Sequence, residues 1–559
     1  MTAKRLLQHY EQIADAPDAI ARLRRFILDL AVRGKLVPQD PNDEPASELL
    51  KRIAAEKARL VKAGEVRKPP TLHPITDAEA LYALPRPWAL VRVGDIFDYD
   101  AGTKRDPKEL DQSRWLLELE DIEKDTSRIV ERLRVSDRDS QSTKSEFKPG
   151  DILYGKLRPY LNKVVVADEP GYSTTEIVAI RPFLRLCPEY CALAFRRPDF
   201  VAYVERSGRG TKMPRLRTPD AIVAPFPLPP LAEQHRIVAK VDELMSLCDR
   251  LESARADREA TRDRLAAASL ARLNAPDPET FQADARFALE ILPALTTRPD
   301  QIKTLRQTIL NLAVRGKLVP QDAKDEPVNL KTVDCDERPE AIPSTWLYTR
   351  LVNLLAEDTR NGYSRKPDEA LNGIPILRIS AGTVRRDGVV AEEEHKLISG
   401  IDPNSRIQYG LRPGDLLACR FNGNKSFVGR LTIFKDYLGL QPIYPDKLIR
   451  VRISPELATA EFLRLAGDTD LVRAEIEAAC ATTVGNWGIS ASNLKEIRFP
   501  LPPLAEQHRI VTKVDELMAM CDRLEASLTA TAANRHRLLD ALLAEALAPA
   551  DDRELEAAE

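Results

Sequence analysis

The stretch FPLPPLAEQHRIVAKVDELMSLCDRLE, residues 226–252, returns as FPLPPLAEQHRIVTKVDELMAMCDRLE, residues 499–525, with 24 of 27 positions identical. A shorter stretch, ILDLAVRGKLVPQD at 27–40, returns as ILNLAVRGKLVPQD at 309–322, with 13 of 14 identical. About 185 residues separate the two stretches in the first half and about 176 in the second, and these passages scarcely resemble each other. Internal repeats indicate two copies of one structural unit. We infer two copies of one binding surface, and two different ligands for the unlike passages.

The longer repeat predicts a long helix that begins after a Pro-Pro pair. Helices over 231–273 and 504–547 would each span roughly 65 Å, at about 1.5 Å per residue. Apolar residues recur at 4-3-4-3 spacing, which is the pattern of a coiled-coil seam. We expect the two helices to pack on each other, antiparallel, as a rigid spacer; the alternative is that each packs on its own domain. The predicted seam is Ile237, Val241, Leu244, Cys248 and Leu251 in the first copy, and Ile510, Val514, Leu517, Cys521 and Leu524 in the second.

The shorter repeat predicts a second kind of helix. Ile20, Leu23, Ile27 and Leu30 form one apolar stripe at 3-4-3 spacing, and Gly34 supplies a stop signal. The copy repeats this stripe between residues 302 and 312. A further helix over 45–62 is predicted in the first half, and the second half has no evident equivalent.

The unlike passages predict mixed α/β domains. Short β-type runs at 89–93, 163–167, 177–180, 376–379 and 448–452 lie among Gly and Pro breaks. Both passages start near a Trp, and KPGDIL in the first matches RPGDLL in the second. We therefore predict an α+β protein whose two α/β domains share a fold and differ on the surface. The predicted regions are 1–80 (helical region and linker), 81–230 (first domain), 231–340 (central helical region), 341–503 (second domain) and 504–559 (final helix and tail).

Composition is that of a soluble globular protein, because 43% of the 559 residues are hydrophobic and 30% are charged. A net charge of −3 excludes a bulk polycation but not local basic patches. One such patch is 196–217, where seven Lys and Arg residues and two acidic residues give a local charge of +5. Seven scattered cysteines, with no targeting or membrane segment, favour a reducing cytoplasm.

Enzyme signatures are missing from the sequence. There is no Walker A loop and no motif of an amino-methyltransferase. Glu146 and Glu394 each start an E-x-K triplet, which is half of a nuclease motif. In a chain with this many Glu and Lys residues, such triplets occur by chance. His235 and His508 lack a second ligand at i+4, and the CxxxC at 187–191 has no partner pair. We expect no catalytic residue and no metal site.

Binding chemistry is concentrated in loops of the two unlike passages. The loops of the first passage are rich in cations, whereas those of the second are rich in asparagine. Arg and Lys can contact phosphates or guanine edges, and Asn can pair with adenine. Readers of two different base sequences could differ in this way; ordinary solvated loops are the alternative. The predicted DNA contacts are Tyr154, Lys156, Arg158, Tyr160, Asn162, Lys163, Arg209, Lys212, Arg215, Arg217, Arg420, Asn422, Asn424, Lys425, Asn486 and Trp487.

Three features occur together: the sequence AVRGKLVPQD, the sequence PLPPLAEQHRIV running on into KVDEL, and two unlike domains between the copies. In these features the chain resembles the specificity subunit (HsdS) of a Type I restriction-modification system. The resemblance covers nearly the whole chain. It implies two target recognition domains, each of which reads one half of a bipartite, asymmetric DNA site. It also implies that the long helices form an antiparallel coiled coil that sets the separation of the half-sites.

The partners implied by this resemblance are double-stranded DNA, two modification subunits docked on the repeats, and restriction subunits. The modification subunits would use S-adenosylmethionine to methylate adenine at N6, and the restriction subunits would use ATP and Mg. No cofactor is expected in this chain. A pseudo-two-fold chain can present equivalent surfaces to two identical partners, although the unmatched helix at 45–62 makes that equivalence incomplete.

Three other functions stay open. A scaffold that binds only proteins predicts no salt-dependent DNA binding. A nuclease would depend on one of the E-x-K triplets. A specificity module of another methylation or defence system would keep the DNA recognition and change the partners.

Overall fold

The computed structural model describes residues 15–16, 18–68, 70–76, 79–139, 141–207, 213–274, 280, 283, 287, 291, 296–328, 339, 342–368, 372–382, 390, 395–435, 439, 441–483 and 485–547. The chain divides into two compact units. Unit 1 comprises Met1–Arg258 with Ala532–Glu559, and unit 2 comprises Glu259–Thr531. Each predicted domain, 81–230 and 341–503, falls within one unit.

The two long helices and the two short repeated helices lie where the apolar periodicity predicts them. Both long helices contain 44 residues and begin at the predicted positions. Pro at the first turn of α8 has no N–H to leave unpaired, which favours the helix start there. Among the described residues, no helix is long and apolar enough to cross a membrane. The helices are α1 (Ala19–Val32), α2 (Ala46–Lys62), α3 (Val93–Ile96), α4 (Pro188–Arg196), α5 (Pro198–Ser207), α6 (Thr218–Ile222), α7 (Leu231–Asn274), α8 (Pro299–Ala313), α9 (Pro403–Tyr409), α10 (Ala460–Gly467), α11 (Asp470–Ala478), α12 (Ala491–Lys495) and α13 (Leu504–Leu547).

The strands of unit 1 form two four-stranded sheets and one strand pair. The first sheet has the order β2-β9-β6-β7, the second has β3-β5-β8-β4, and β1 pairs with β10. All neighbouring strands are antiparallel except β4 and β8. The strands are β1 (Ala89–Arg92), β2 (Phe97–Tyr99), β3 (Thr103–Arg105), β4 (Trp115–Leu117), β5 (Lys144–Phe147), β6 (Ile152–Gly155), β7 (Val164–Val166), β8 (Gly171–Ser173), β9 (Ile177–Pro182) and β10 (Pro225–Leu228).

The strands of unit 2 form one four-stranded sheet, one three-stranded sheet and two strand pairs. The orders are β12-β18-β15-β17 and β16-β20-β19, with β11 paired to β21 and β13 to β14. The strands are β11 (Leu347–Arg350), β12 (Leu355–Asn361), β13 (Ile374–Leu377), β14 (His395–Ile398), β15 (Leu416–Cys419), β16 (Phe421–Asn422), β17 (Leu431–Ile433), β18 (Leu448–Ile453), β19 (Ala481–Thr483), β20 (Asn486–Gly488) and β21 (Arg498–Leu501).

One sheet is built twice. The order β2-β9-β6-β7 in unit 1 matches β12-β18-β15-β17 in unit 2 strand for strand. The Pro-Gly-Asp motif lies directly before β6 and before β15, and every residue of these two central strands is buried. The predicted mixed fold class is therefore confirmed, and the two domains share their central sheet. They differ around it, since unit 1 adds the sheet β3-β5-β8-β4 and unit 2 adds β16-β20-β19.

The repeated glycine ends its helix in the same way twice. Gly34 and Gly316 have φ angles of +67° and +62°, in the left-handed region that favours glycine. A Cβ at either position would lie 2.3 Å from the Cγ of a proline, Pro85 in unit 1 and Pro343 in unit 2. Glycine is thus required at both positions by conformation and by close approach.

The first part of each predicted seam lies in the core of its own unit. Ile237, Val241 and Cys248 are buried in the main core of unit 1, and Leu244 packs against that core. Ile510, Val514 and Cys521 have the same place in unit 2, with Leu517 and Leu524 packed against them. Leu251 is exposed. These contacts follow the alternative, in which each helix packs on its own domain; mutual pairing of the helices stays a prediction.

The short repeated helix contacts a long helix in each unit. In unit 1, Phe26 of α1 is buried with Leu539 and Leu543, which belong to the end of α13. In unit 2, Leu312 of α8 is buried with Leu270 and Leu273, which belong to the end of α7. Each unit therefore holds the start of one long helix and the end of the other.

The helix α2 keeps the two units unequal. Its Leu49 and Ile53 are buried in the main core of unit 1. In unit 2 the described residues between α8 and β11 contain no helix, and residues 329–338 and 340–341 lie outside the described part of the chain.

Candidate nucleic-acid interface

Two predicted basic segments of unit 1 meet directly after β6. The N–H of Leu216 donates to the carbonyl of Lys156 at 3.0 Å, and the N–H of Arg158 donates to the carbonyl of Pro214 at 2.8 Å. The N–H of Lys156 donates to the carbonyl of Glu176 at 2.9 Å, so a third segment joins them. We name residues 156–158, 176 and 213–216 the first cradle.

The loop that leads out of the first cradle is held by unusual backbone. Arg158, Asn162, Asp125 and Ser127 have φ angles of +50°, +52°, +63° and +59°. Ser127 Oγ donates to the carbonyl of Asn162 at 2.8 Å, and Asn162 Nδ2 donates to the carbonyl of Arg196 at 3.2 Å. The Arg196 guanidinium donates to the carbonyl of Asp125 at 3.0 Å, which closes the set. Positive φ is uncommon outside glycine and persists only where the surroundings impose it, so these bonds define the loop conformation.

Several predicted DNA contacts of unit 1 serve the fold instead. Tyr154 is buried among the rings of Phe195 and Phe200, and burial raises the pKa of its hydroxyl. It is a core residue, and its prediction as a contact was wrong. Asn162 Nδ2 donates to the carbonyl of Arg196 at the end of α4, and Lys163 Nζ donates to a backbone carbonyl at 2.7 Å. Arg209 and Lys212 lie outside the described residues.

Two exposed arginines are committed to neighbouring carboxylates. Arg215 forms an ion pair with Glu176 at 3.0 Å, and Arg217 with Asp220 at 2.8 Å. In the same basic stretch, burial lowers the pKa of Arg196 to about 10. Two carboxylates from outside the segment thus offset two of the five net positive charges predicted over 196–217.

Three predicted contacts of unit 1 are uncommitted. Lys156 is half-buried, whereas Arg158 and Tyr160 are exposed. Within the described part of the chain, none of the three side chains forms a hydrogen bond or an ion pair. These three groups, two in the first cradle and Tyr160 in the loop that follows it, can bind a ligand without breaking a bond to the described residues.

The asparagine-rich segments of unit 2 also meet, in the small sheet β16-β20-β19. Phe421 pairs with Gly488 and Asn422 with Trp487. The N–H of Ile489 donates to the carbonyl of Arg420 at 3.0 Å, and the N–H of Arg420 donates to the carbonyl of Lys447 at 2.9 Å. We name residues 420–425, 447 and 486–489 the second cradle.

The cations of the second cradle lie over aromatic rings. The Arg420 guanidinium carbon is 4.8 Å from the centroid of Phe421, and Lys447 Nζ is 5.1 Å from the same centroid. Lys425 Nζ lies 4.7 Å from the centroid of the half-buried Trp487. Such contacts contribute about 0.5–1 kcal/mol at exposed sites, so they orient the cations without removing their charge.

The asparagines of the second cradle are not equivalent. Asn422 Oδ1 accepts from the N–H of Asn424 at 2.8 Å, and Asn424 Oδ1 accepts from the N–H and hydroxyl of Ser426, both at 3.0 Å. These oxygens stabilise turns in the loop. Asn486 is exposed, and its side chain forms no hydrogen bond within the described residues.

The two cradles have the same backbone arrangement. Each joins the residue after a central sheet strand to two distant segments through matching hydrogen bonds. In unit 1 an isolated bridge pairs Leu157 with Arg215, where unit 2 pairs Phe421 with Gly488. The equivalent positions are Lys156 and Arg420, Leu157 and Phe421, Arg158 and Asn422, Glu176 and Lys447, Met213 and Asn486, Pro214 and Trp487, and Arg215 and Gly488.

The nuclease alternative finds no support in unit 1. Glu146 forms ion pairs of 2.8 Å with both Arg105 and Arg114. Burial alone would raise the pKa of Glu146, but the hydrogen bonds from these two arginines lower it. Glu394 lies outside the described residues. Among the residues that are described, no group of three or more His, Cys, Asp or Glu side chains is placed to hold a metal ion.

Comparison with known proteins identifies the family. A family model described as Type I restriction modification DNA specificity domain matches residues 474–532. The specificity subunit of the Type I restriction enzyme EcoEI from Escherichia coli is 30% identical over 580 residues, with 94% of each chain covered. That of EcoAI, also from Escherichia coli, is 30% identical over 579 residues, covering 94% of this chain and 93% of its own. The chain belongs to the Type I restriction enzyme specificity subunits.

The resemblance stated from the sequence is thus confirmed. A crystal structure of the HsdS subunit from Thermoanaerobacter tengcongensis aligns with 84% of this specificity subunit and 99% of its own chain, at 21% identity and a TM-score of 0.44.

The repeats of this specificity subunit carry identical residues inside and outside. Inside, the indole N–H of Trp88 donates to Glu233 at 2.9 Å, and that of Trp346 donates to Glu506 at 3.0 Å. Outside, a set of identical side chains is exposed in both copies. The set is Pro38 and Pro320, Gln39 and Gln321, Asp40 and Asp322, Ala232 and Ala505, His235 and His508, Asp242 and Asp515, Glu243 and Glu516, Asp249 and Asp522, and Arg250 and Arg523.

The loop composition of this specificity subunit did not point to three cradle residues. Glu176 and Lys447 come from the turns before β9 and β18, and Met213 was overlooked between cations although half of its surface is exposed. Of the three, only Met213 lies in a segment that the sequence predicts to contact DNA, the cation-rich stretch 209–217. Glu176 and Lys447 enter the cradles through backbone bonds, which depend on the fold and not on side-chain type.

Proposed function

We propose that this specificity subunit recognises a bipartite DNA sequence, one half with each cradle, in a complex whose chemistry is carried out by other subunits. The observation that carries the proposal is one backbone arrangement formed twice with unlike side chains. A common backbone would hold duplex DNA in a common way, while unlike side chains would meet different base edges. The relatives named for restriction enzymes EcoEI and EcoAI support the same role.

The repeated exposed residues support docking of two identical partners, which we take to be adenine-N6 methyltransferase subunits. Buried identical residues are explained by the common fold, but exposed ones are not. Asp40, Asp242, Glu243 and Asp249 outnumber Arg250 among the charged members of the first copy, and the second copy is the same. A partner with a basic docking surface fits this excess of carboxylates.

The long helices are proposed to set the distance between the half-sites. Each contains 44 residues and would span about 66 Å. Half-sites on one face of a duplex lie about 34 Å apart or a multiple of it, so helices of this length can separate two readers. Pairing of the helices beyond Leu251 is part of this proposal.

The decisive experiment exchanges one domain. Residues 88–225 would be replaced by the equivalent domain of a relative, and the chain would be assembled with its modification subunits on a DNA library. Methylation mapping should show that only one half of the recognised sequence changes. A change in both halves, or in neither, would contradict the two-reader model.

Docking is tested separately by charge reversal in each copy. Asp242→Lys and Asp515→Lys should each remove one of two modification subunits, as seen by native mass spectrometry of the complex. The exposed Asp111→Lys in the first domain is the control and should leave both modification subunits bound.

The scaffold alternative is tested by DNA binding. If the chain binds only proteins, the assembled complex will show no salt-dependent binding to DNA.

A further inference from the structure

We propose that Arg158 and Asn486 are the specificity-determining side chains of the two cradles, Arg158 recognising guanine and Asn486 recognising adenine. The inference rests on the proposed function and narrows it to one side chain in each cradle. In each cradle, some polar side chains are already bonded within the protein. The others are available to bind DNA.

The arginines of the first cradle differ in whether the guanidinium already forms an ion pair. Arg215 is paired with Glu176, so its guanidinium would have to leave a carboxylate before it could contact a base. Arg158 is exposed and has no partner among the described residues. A free guanidinium offers two parallel N–H donors, which match the N7 and O6 acceptors of guanine in the major groove. Lys156 is a point charge, better suited to a phosphate.

The backbone of Arg158 is fixed, which favours recognition over loose attraction. Its φ of +50° lies at one end of a turn whose other end, Asn162, has a φ of +52°. Asp125 and Ser127 brace that turn through hydrogen bonds to its backbone and to Arg196. Such backbone costs about 1 kcal/mol or more per residue. A contact that must find one base edge benefits from a side chain carried on a fixed backbone, whereas attraction to a phosphate does not require it.

The asparagines of the second cradle differ in whether the side-chain oxygen already accepts a hydrogen bond. Bidentate pairing with adenine needs an amide oxygen to accept from N6 and an amide N–H to donate to N7. Asn424 Oδ1 already accepts two hydrogen bonds and Asn422 Oδ1 accepts one. Asn486 is exposed, and within the described part of the chain neither half of its amide forms a hydrogen bond. Asn486 pairs with Thr483 of β19, and the residue after it pairs with both β19 and β16.

The neighbourhood of Asn486 also leaves room for a base. Gly423 faces it across the cradle, and a Cβ there would lie 3.7 Å from Asn486 Oδ1. The next residue, Trp487, is half-buried under Lys425 and anchors the strand in the core of unit 2. The amide is therefore presented by a fixed strand beside a position without a side chain.

The test uses the full chain assembled with its modification subunits and a DNA library randomised over the recognised site. Arg158→Asn keeps a residue type that tolerates positive φ, and Arg158→Lys keeps the charge. Both should reduce the preference for guanine at one position of one half-site by about 5- to 150-fold, the range expected for a lost bidentate contact. Asn486→Ala should do the same for adenine at one position of the other half-site.

Matched controls separate recognition from folding and from general affinity. Arg132→Ala and Asn404→Ala alter exposed residues of the same two domains outside the cradles and should leave the base preferences unchanged. Lys156→Ala should weaken methylation of all sequences alike. An unchanged preference in the Arg158 or Asn486 variants, or a loss at a different base, overturns this inference. A wild-type complex that methylates without sequence preference would instead overturn the proposed function.

Discussion

The two units are most alike where they are buried and least alike where the cradles open to solvent. The indole of Trp88 bonds to Glu233 and that of Trp346 to Glu506, at distances that differ by 0.1 Å. The cradle positions built on this common frame hold Arg158 in one unit and Asn422 in the other. A duplicated chain is free to diverge where a side chain does not support the fold. The two cradles therefore offer different chemistry on a common backbone, which fits the proposal that they bind different ligands.

One buried contact breaks the symmetry. Glu233 accepts from Trp88 and also from Gln39 at 2.7 Å. In unit 2 the equivalent Gln321 instead accepts from Thr345, and one oxygen of Glu506 has no hydrogen-bond partner. Equal sequences thus produce unequal networks, and this allows the equivalence of the two units to be tested by paired substitutions.

The largest expected effect is in the cores. Phe226→Ala and Phe499→Ala each remove a fully buried ring, and each should reduce the free energy of unfolding of its own unit by about 3–5 kcal/mol. Hydrogen-exchange mass spectrometry of the full chain would report the two units separately. Val352→Ala, at a side chain that is 39% exposed, is the control. A much smaller cost at Phe499 would show that the two cores are not equivalent.

The helix-ending glycines should come next. Gly34→Ala and Gly316→Ala force a Cβ into a positive-φ residue and against a proline carbon, at an expected cost of about 2–4 kcal/mol each. Gly64→Ala is the matched control, because Gly64 also has a positive φ, +73°, but has nothing within 4 Å of the added carbon. It should cost about 1 kcal/mol. Equal values for Gly34 and Gly64, measured by the same exchange experiment, would rule out the contact with proline.

Substitution of the two buried glutamates, Glu233 and Glu506, should destabilise unit 1 more than unit 2. Glu233→Gln replaces an oxygen that accepts from Gln39 by an amide group, which should cost unit 1 about 1–2 kcal/mol. Glu506→Gln puts the same amide where no partner is lost, and should cost unit 2 less than about 0.5 kcal/mol. Urea unfolding followed in each unit would measure the difference. Equal costs would mean that Gln39 does not distinguish the two networks.

The smallest expected effect is a change in how the free energy of unfolding depends on pH. Burial raises the pKa of both Glu233 and Glu506 above the ordinary value of 4.5, although hydrogen bonds from Trp88 and Trp346 oppose this. The folded chain then holds these protons at a pH where the unfolded chain has released them. Their contribution to stability is present below pH 4.5 and is lost as the pH rises through the raised values. The Glu233→Gln, Glu506→Gln double variant should lose less stability over that interval than the wild type.

The regular part of the fold could be predicted from the sequence, and the site only in outline. The two long helices start where predicted, because a Pro-Pro pair and a repeating apolar stripe are local signals. The loops at 154–163 and 209–217 were predicted from their composition, and the structure brings residues 156–158 and 214–216 together. Tyr154 was wrongly placed among the contacts, since a tyrosine next to a basic loop looks the same in sequence whether its ring points into the core or out of it.

Commitment of side chains could not be predicted at all. Arg158 and Arg215 are indistinguishable by type and neighbourhood, but among the described residues only Arg215 meets a carboxylate, which comes from Glu176 in a different turn. The same holds for Asn424 and Asn486, which differ in whether a nearby N–H occupies the amide oxygen.

The sequence by itself determined the duplication, the length of both helices and the family, since repetition and periodicity are properties of neighbouring residues. Only the tertiary structure decided that the seam residues of α7 and α13 pack on their own domains, that the cradles share one backbone, and which polar groups are free. Those outcomes depend on segments far apart in the chain, whose meeting is set by the packing of the whole unit and not by local residue type.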